Sequence, residues 1–227
     1  DYVINNVAKR YPSQPQYHQG WQNRYRDEKA HYLAAIKEAA ASDRKSLDAL
    51  AAANRDAIAD GTYVIRALCS DRGVLDVARA STANGANVRI WDADGSDSQR
   101  WIVSHDSAGY ITLTNAASRK VLDAAGGAGK EGDNAQQWTP NGGWNQKWIA
   151  VPDSTGGVTL ASAIRSDLVL DVYRGLSDSG TNVQVWGSNS GSSQSFEFKS
   201  AKTCRQALDD LAAENRDAIA DGTYVVR

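Results

Sequence analysis

Three times the chain sets an acid, an aromatic ring and an amide at the same distances. The first set is Val74-Leu75-Asp76, Trp91 and Gln99-Arg100-Trp101; the second is Val121-Leu122-Asp123, Trp138 and Gln146-Lys147-Trp148; the third is Val169-Leu170-Asp171, Trp186 and Gln194-Ser195-Phe196. The interval from the Asp to the middle Trp is the same in all three. Such a set suits recognition better than bond breaking. A carboxylate accepts charge-assisted hydrogen bonds, and a flat ring covers an apolar face.

Other chemistry is harder to build from this sequence. His18, His31 and His105 stand apart and outside any metal-ligand spacing, and there is no G-x-S-x-G motif. Ala128-Gly129-Lys130-Glu131 lacks both the hydroxyl residue after Lys and the upstream Gly of a phosphate loop. Asp209 and Asp210 fall on an expected surface helix, where paired acids are solvated. The expectation is therefore a chain without enzyme activity of its own, metal or cofactor, although a larger parent protein can carry a catalytic domain.

Bulk properties narrow the partners. A net charge of −2 argues against nucleic acid, whose binders carry a basic patch or stripe. No apolar run reaches membrane-spanning length, so no membrane insertion is expected. The chain starts at Asp1 and has no Met, which reads as a mature or excised piece. It has 7 Trp against 2 Phe, and rings with a polar edge suit half-exposed, hydrogen-bonding positions. Cys69 and Cys204 lie far apart with no C-x-x-C, a pattern that does not fit a zinc site. A disulfide between them and two unlinked thiols both remain open.

The elements that must position the three sets change along the chain. Residues 1–26, rich in Tyr, Gln, Asn and Arg with Pro12 and Pro15, read as the irregular tail of a preceding domain. Residues 27–60 read as a helical linker of one or two helices. Tyr32, Ala35, Ile36 and Ala39 form a first stripe, and Leu47, Leu50, Ala51, Asn54 and Ile58 a second. Ser42-Asp43 suggests a break between them, and Asp60-Gly61 an end with Gly as the C-cap. Both stripes are expected to pack against the neighbouring domain. From Thr62 the period becomes that of strands. Tyr63-Val64-Ile65-Arg66, Tyr110-Ile111-Thr112-Leu113 and Val158-Thr159-Leu160 each open one repeat, and Asn84-Gly85, Asp94-Gly95, Asn141-Gly142-Gly143 and Ser190-Gly191 punctuate the rest. Three copies of about four short strands imply a closed three-fold barrel, because one copy cannot bury its own apolar face.

A longer repeat lies behind the first. Residues 208–227 read LDDLAAENRDAIADGTYVVR and residues 47–66 read LDALAAANRDAIADGTYVIR. Residues 200–227 are thus expected to be the helix and first strand of a next module in a tandem array.

The Q-x-W/F endings, with Asn87-Val88-Arg89-Ile90-Trp91, Asn134-Ala135-Gln136-Gln137-Trp138 and Asn182-Val183-Gln184-Val185-Trp186, resemble the ricin-type β-trefoil lectins. The resemblance covers residues 61–199 and implies an all-β trefoil, flanked here by α-helical linker segments, with up to three shallow sugar pockets. Ala-Asp-Gly-Thr-Tyr-Val-Ile-Arg before the first repeat looks like modules of secreted bacterial cell-surface and cell-wall proteins. In the family a competent pocket combines an Asp, a nearby polar residue (commonly Gln), a stacking aromatic and an Asn just before the Q-x-W Gln. A sugar has one C–H-rich face for the ring and a rim of hydroxyls for the carboxylate.

Carried over by position, the second repeat keeps all four roles in Asp123, Gln136, Trp138 and Asn145. The third has Asp171, Gln184, Trp186 and Ser193, with Ser too short to supply the amide; the first has Asp76, Arg89, Trp91 and Ser98. Arg89 there can pair with Asp76 and compete with a sugar, or favour an acidic glycan. The expected ranking is second, third, first. Plainer roles compete: Trp101, Trp148 and Phe196 as core, Gln99, Gln146 and Gln194 as partners of buried backbone, the three Asp as turn stabilisers, and Trp144 as either a pocket extension or a loop shield. The resemblance implies a secreted or surface-directed, monomeric lectin module that takes a galactose-like or N-acetylated glycan. Two alternatives stand beside it: a non-catalytic spacer or protein-docking module, and the targeting part of a cell-wall or polysaccharide hydrolase.

Overall fold

The computed structural model describes residues 15–201. The helix and strand expected after residue 201, and any pairing of Cys69 with Cys204, lie outside the described residues. The chain divides into two compact units after Leu47.

Helix α1, Pro15–Ala53, is one uninterrupted element of 39 residues. Residues 15–26, expected to be irregular, belong to it. Pro stands at its first position, where its missing N–H costs nothing, and no Gly or Pro breaks the stretch around Ser42 and Asp43. Ser46 instead bonds back to the Ser42 carbonyl (3.1 Å), a pattern compatible with a continuous helix. The expected break at Ser42-Asp43 is therefore absent. Helix α1 ends at Ala53, with Asn54 Nδ2 donating to the Leu50 carbonyl (2.9 Å), and Gly61 opens a strand rather than capping the helix. Tyr32, Leu33 and Ile36 are exposed, so the first stripe does not bury as expected, whereas Ala51 and Ile58 of the second are buried. Among the described residues no helix is long and apolar enough to cross a membrane.

Among the described residues twelve antiparallel strands follow, four per repeat. The first repeat holds β1 (Gly61–Ala67), β2 (Gly73–Val77), β3 (Ala86–Asp92) and β4 (Arg100–His105). The second holds β5 (Ile111–Asn115), β6 (Val121–Ala124), β7 (Ala135–Trp138) and β8 (Trp148–Pro152). The third holds β9 (Val158–Ser162), β10 (Leu168–Val172), β11 (Val183–Gly187) and β12 (Phe196–Ser200). Strands β1, β4, β5, β8, β9 and β12 pair in a ring that closes when β1 meets β12. The hairpins β2–β3, β6–β7 and β10–β11 form a second layer. This is the β-trefoil expected from the repeats.

Trp101, Trp148 and Phe196 are fully buried, beside Ile65, Leu75, Leu122 and Leu170. The two indoles are not left unsatisfied: Trp101 Nε1 donates to the Leu75 carbonyl (3.0 Å) and Trp148 Nε1 to the Leu122 carbonyl (3.3 Å). The three hairpins lock to one another. Asn134 Nδ2 donates to Asn87 Oδ1 (2.8 Å), and Asn182 Nδ2 donates to Asn134 Oδ1 (2.8 Å). Asn134 thus joins all three repeats. Asn134→Ala is expected to lower unfolding free energy by about 1–3 kcal/mol, the cost of leaving partly buried partners unmatched, read as a fall in the urea midpoint.

Candidate functional site

The interval between each Asp and its polar partner is a hairpin register. Asp76, Asp123 and Asp171 stand directly across from Arg89, Gln136 and Gln184. Trp91, Trp138 and Trp186 follow two residues later and therefore share the face of that partner. The fourth position comes from a one-turn 3₁₀ segment before the next strand: Asp97–Gln99, Trp144–Gln146 or Ser192–Gln194. The Gln of each segment staples its own loop. Its Oε1 accepts the N–H of Asp94, Asn141 or Asn189, each at 2.8 Å, and its Nε2 donates to the carbonyl of Asp92, Thr139 or Gly187. The backbone-satisfying role expected of Gln99, Gln146 and Gln194 is thereby met.

In the second repeat the four matched residues come together. Asp123 is 2% exposed. Its Oδ1 accepts Gln136 Nε2 (2.9 Å), and its Oδ2 accepts Asn145 Nδ2 (2.7 Å) and Gln146 Nε2 (2.9 Å). Sequence reasoning gave Gln146 only the loop role; its second hydrogen bond, to the site carboxylate, depends on the loop's path. Burial pushes the Asp123 carboxyl above its ordinary value, and the Gln136 and Gln146 amides offset part of that. Trp138 is 39% exposed and offers a ring face. The wall next to Asp123 is low, being Ala125-Gly126-Gly127. Trp144 packs edge-on against Tyr110 (5.5 Å between centroids) with Lys147 Nζ 5.0 Å from its ring, which supports the loop-shield role.

The third repeat carries an open cleft. Asp171 Oδ2 accepts Gln184 Nε2 (3.1 Å) and Oδ1 accepts Ser193 Oγ (3.0 Å). A cavity of about 610 Å³ opens over this pair, walled by Tyr173, Arg174 and Trp186. Tyr173 escaped the sequence reading. The available signal was its place two residues after Asp171, where the other repeats carry Ala78 and Ala125.

The first repeat is closed. Arg89 Nε donates to Asp76 Oδ2 (2.9 Å) and Ser98 Oγ to Oδ1 (3.0 Å). The Arg89 guanidinium carbon also lies 3.8 Å from the centre of the Trp91 ring. One side chain occupies the acceptor and the stacking face together. Burial raises the Asp76 carboxyl, with the Arg89 and Ser98 hydrogen bonds opposing it.

The Trp rings are seated by neighbouring repeats. Gly85, Gly132 and Gly180 sit at positive φ beside Trp138, Trp186 and Trp91 respectively, with a hypothetical Cβ 3.6, 3.7 and 3.4 Å from each ring. Each pocket therefore borrows a turn from another repeat.

Comparison with known proteins agrees with the trefoil fold. A family model described as the ricin-type beta-trefoil lectin domain-like family matches residues 97–186. The designed three-fold symmetric protein ThreeFoil is 32% identical with a TM-score of 0.60, covering 63% of this chain and 100% of that one. The chain belongs to the ricin-type β-trefoil lectin family. The exo-β-1,3-galactanase 1,3Gal43A of Clostridium thermocellum is 28% identical with a TM-score of 0.59, over 62% of this chain and 30% of the galactanase. The Macrolepiota procera ricin B-like lectin, solved with lactose, shares the fold at 18% identity and a TM-score of 0.55, over 63% of this chain and 99% of its own. No curated protein matches the sequence. Family membership gives the trefoil a carbohydrate-binding character in general.

Arg89→Gln gives the first repeat the same four residue types as the third. The variant is expected to uncover Trp91, seen as increased acrylamide quenching of tryptophan fluorescence that a further Trp91→Phe change removes.

Proposed function

We propose that this lectin domain binds glycans through its second and third repeats, while the first repeat takes none. The observation that carries the proposal is a buried carboxylate with spare acceptor capacity beside a half-exposed indole. An ionised carboxylate offers about four lone-pair sites. Asp171 uses two of them within the protein and Asp123 three. Trp186 and Trp138 are 41% and 39% exposed. The third repeat adds the Tyr173 wall and a cleft of about 610 Å³; the second adds the Asn145 amide. In this reading the sequence ranking is revised: the third site holds sugar at least as well as the second.

A galactose-like or N-acetylated sugar fits the family, and the lactose complex of the Macrolepiota lectin supports that class. The domain acts by holding its ligand and is not itself an enzyme. Each shallow site binds weakly alone, and tandem modules raise avidity through effective concentration. Action outside the cell or on its surface follows from the sequence likeness to secreted bacterial modules. The galactanase relationship supports a second reading for the parent protein, in which the trefoil directs a hydrolase to polysaccharide.

Calorimetry with lactose and N-acetylgalactosamine tests the binding claim. Asp171→Ala and Asp123→Ala should each remove about one equivalent of bound sugar, and the double change should abolish binding; a double variant that binds as the parent does would overturn the proposal. A pH series adds a separate check. Because the folded Asp123 carboxyl is held above its ordinary value, it protonates earlier on acidification. In the Asp171→Ala variant, binding should therefore weaken as the pH falls, while still above the ordinary carboxylate range.

A further inference from the structure

Residues 47–66 and 208–227 differ at three of twenty positions: Ala49 against Asp210, Ala53 against Glu214 and Ile65 against Val226. From Asp48 onward the first copy is bound into the barrel. Tyr110 Oη donates to Asp48 Oδ1 (2.7 Å), and Arg55 Nη1 donates to the Asp106 carbonyl (2.9 Å). The His105 backbone N–H donates to Asp60 Oδ1 (3.0 Å). Ile58 and Ile65 lie in the core. Strand β1 pairs on both sides, with β12 and β4, and Arg66 Nε donates to Glu197 Oε2 (2.8 Å).

All of these anchors but Ile65, which becomes Val226, recur in the second copy. Asp209, Arg216, Ile219, Asp221, Tyr224 and Arg227 stand where the first copy has Asp48, Arg55, Ile58, Asp60, Tyr63 and Arg66. The differences are compatible with the same seat. Ala49 and Ala53 are exposed, so Asp and Glu there stay in water. Val in place of Ile65 removes a single methylene from the core.

The route is short as well. The Ala201 N–H donates to the Thr62 carbonyl (2.7 Å), so the chain leaves β12 beside the place where it entered β1. A segment that follows Ala201 starts next to that seat, and linkage within one chain gives it a high effective concentration.

We propose that residues 208–227 can replace residues 47–66 in the barrel of their own chain, so that one trefoil can be completed from either end. The exchange is a circular permutation in effect, with β1 supplied from after β12 instead of from before β2.

The test uses the full chain with Ile65→Asp, Val226→Asp and the two combined, read by near-ultraviolet circular dichroism of the tryptophan-rich core and by light-scattering mass. An unpaired carboxylate cannot take the fully buried Ile65 position. Ile65→Asp is expected to keep a native-like signal at monomer mass, Val226→Asp to match the parent, and the combined variant to lose the signal. The proposal is overturned if Ile65→Asp unfolds as completely as the combined variant. It is also overturned if Ile65→Asp folds only as a dimer, which would seat residues 208–227 on a second copy, or if the combined variant stays folded. None of these readouts depends on sugar binding.

Discussion

Closure of the ring between β1 and β12 is the constraint on which the rest of this molecule depends. No repeat has a partner layer of its own for Trp101, Trp148 or Phe196, and these side chains reach full burial only when six strands enclose them. Closure also brings the three hairpins against one another. The Asn87–Asn134–Asn182 contacts and the glycine turns beside Trp91, Trp138 and Trp186 exist because the hairpins converge. The aromatic face of every pocket is therefore held by a repeat other than its own. A pocket of this type belongs to the assembled trefoil rather than to a motif.

On that common backbone, three positions distinguish the surroundings of the three Asp residues. The cross-strand partner of the Asp is Arg89, Gln136 or Gln184, and it decides whether the carboxylate and the ring are free. A neutral amide shares the carboxylate, leaving lone pairs for a ligand, whereas a guanidinium pairs with it and covers the indole as well. The residue from the 3₁₀ segment, Ser98, Asn145 or Ser193, sets how many donors already occupy the carboxylate. The residue two after the Asp, Ala78, Ala125 or Tyr173, sets the height of the wall. The second and third repeats reach different balances: a complete polar set under a low wall, and a sparser polar set under a taller one.

Much of this was legible beforehand, and the reasons are particular. Asp123 and Gln136 meet because a tight antiparallel hairpin converts a fixed sequence interval into a cross-strand pair, and Trp138 joins them because strand side chains alternate faces. Trp148 and Gln146 behaved as their repetition implied, one in the core and one tying a loop. Helix α1 was less legible. Residues 15–26 carry no strong apolar period and include Gly20, which the helix tolerates, so nothing in their pattern announced a helix. Gly61 has the residue type of a helix cap but serves as the first residue of a strand, because the chain turns through residues 54–60 before it. The stripe of Tyr32 and Ile36 has a core-like spacing and yet is exposed.

The sequence by itself determined the trefoil, the placement of four candidate residues in each repeat, and the close match between residues 47–66 and 208–227. Periodicity and hairpin register are local properties, so residue order suffices for them. Only the tertiary structure decided how the side chains around each Asp are arranged. That Arg89 lies over Trp91, that Gln146 reaches Asp123 and that Tyr173 walls a cleft all depend on side-chain directions and on loops brought together from distant parts of the chain. Such juxtapositions arise from closure of the barrel, which residue types can require but whose local geometry they do not specify.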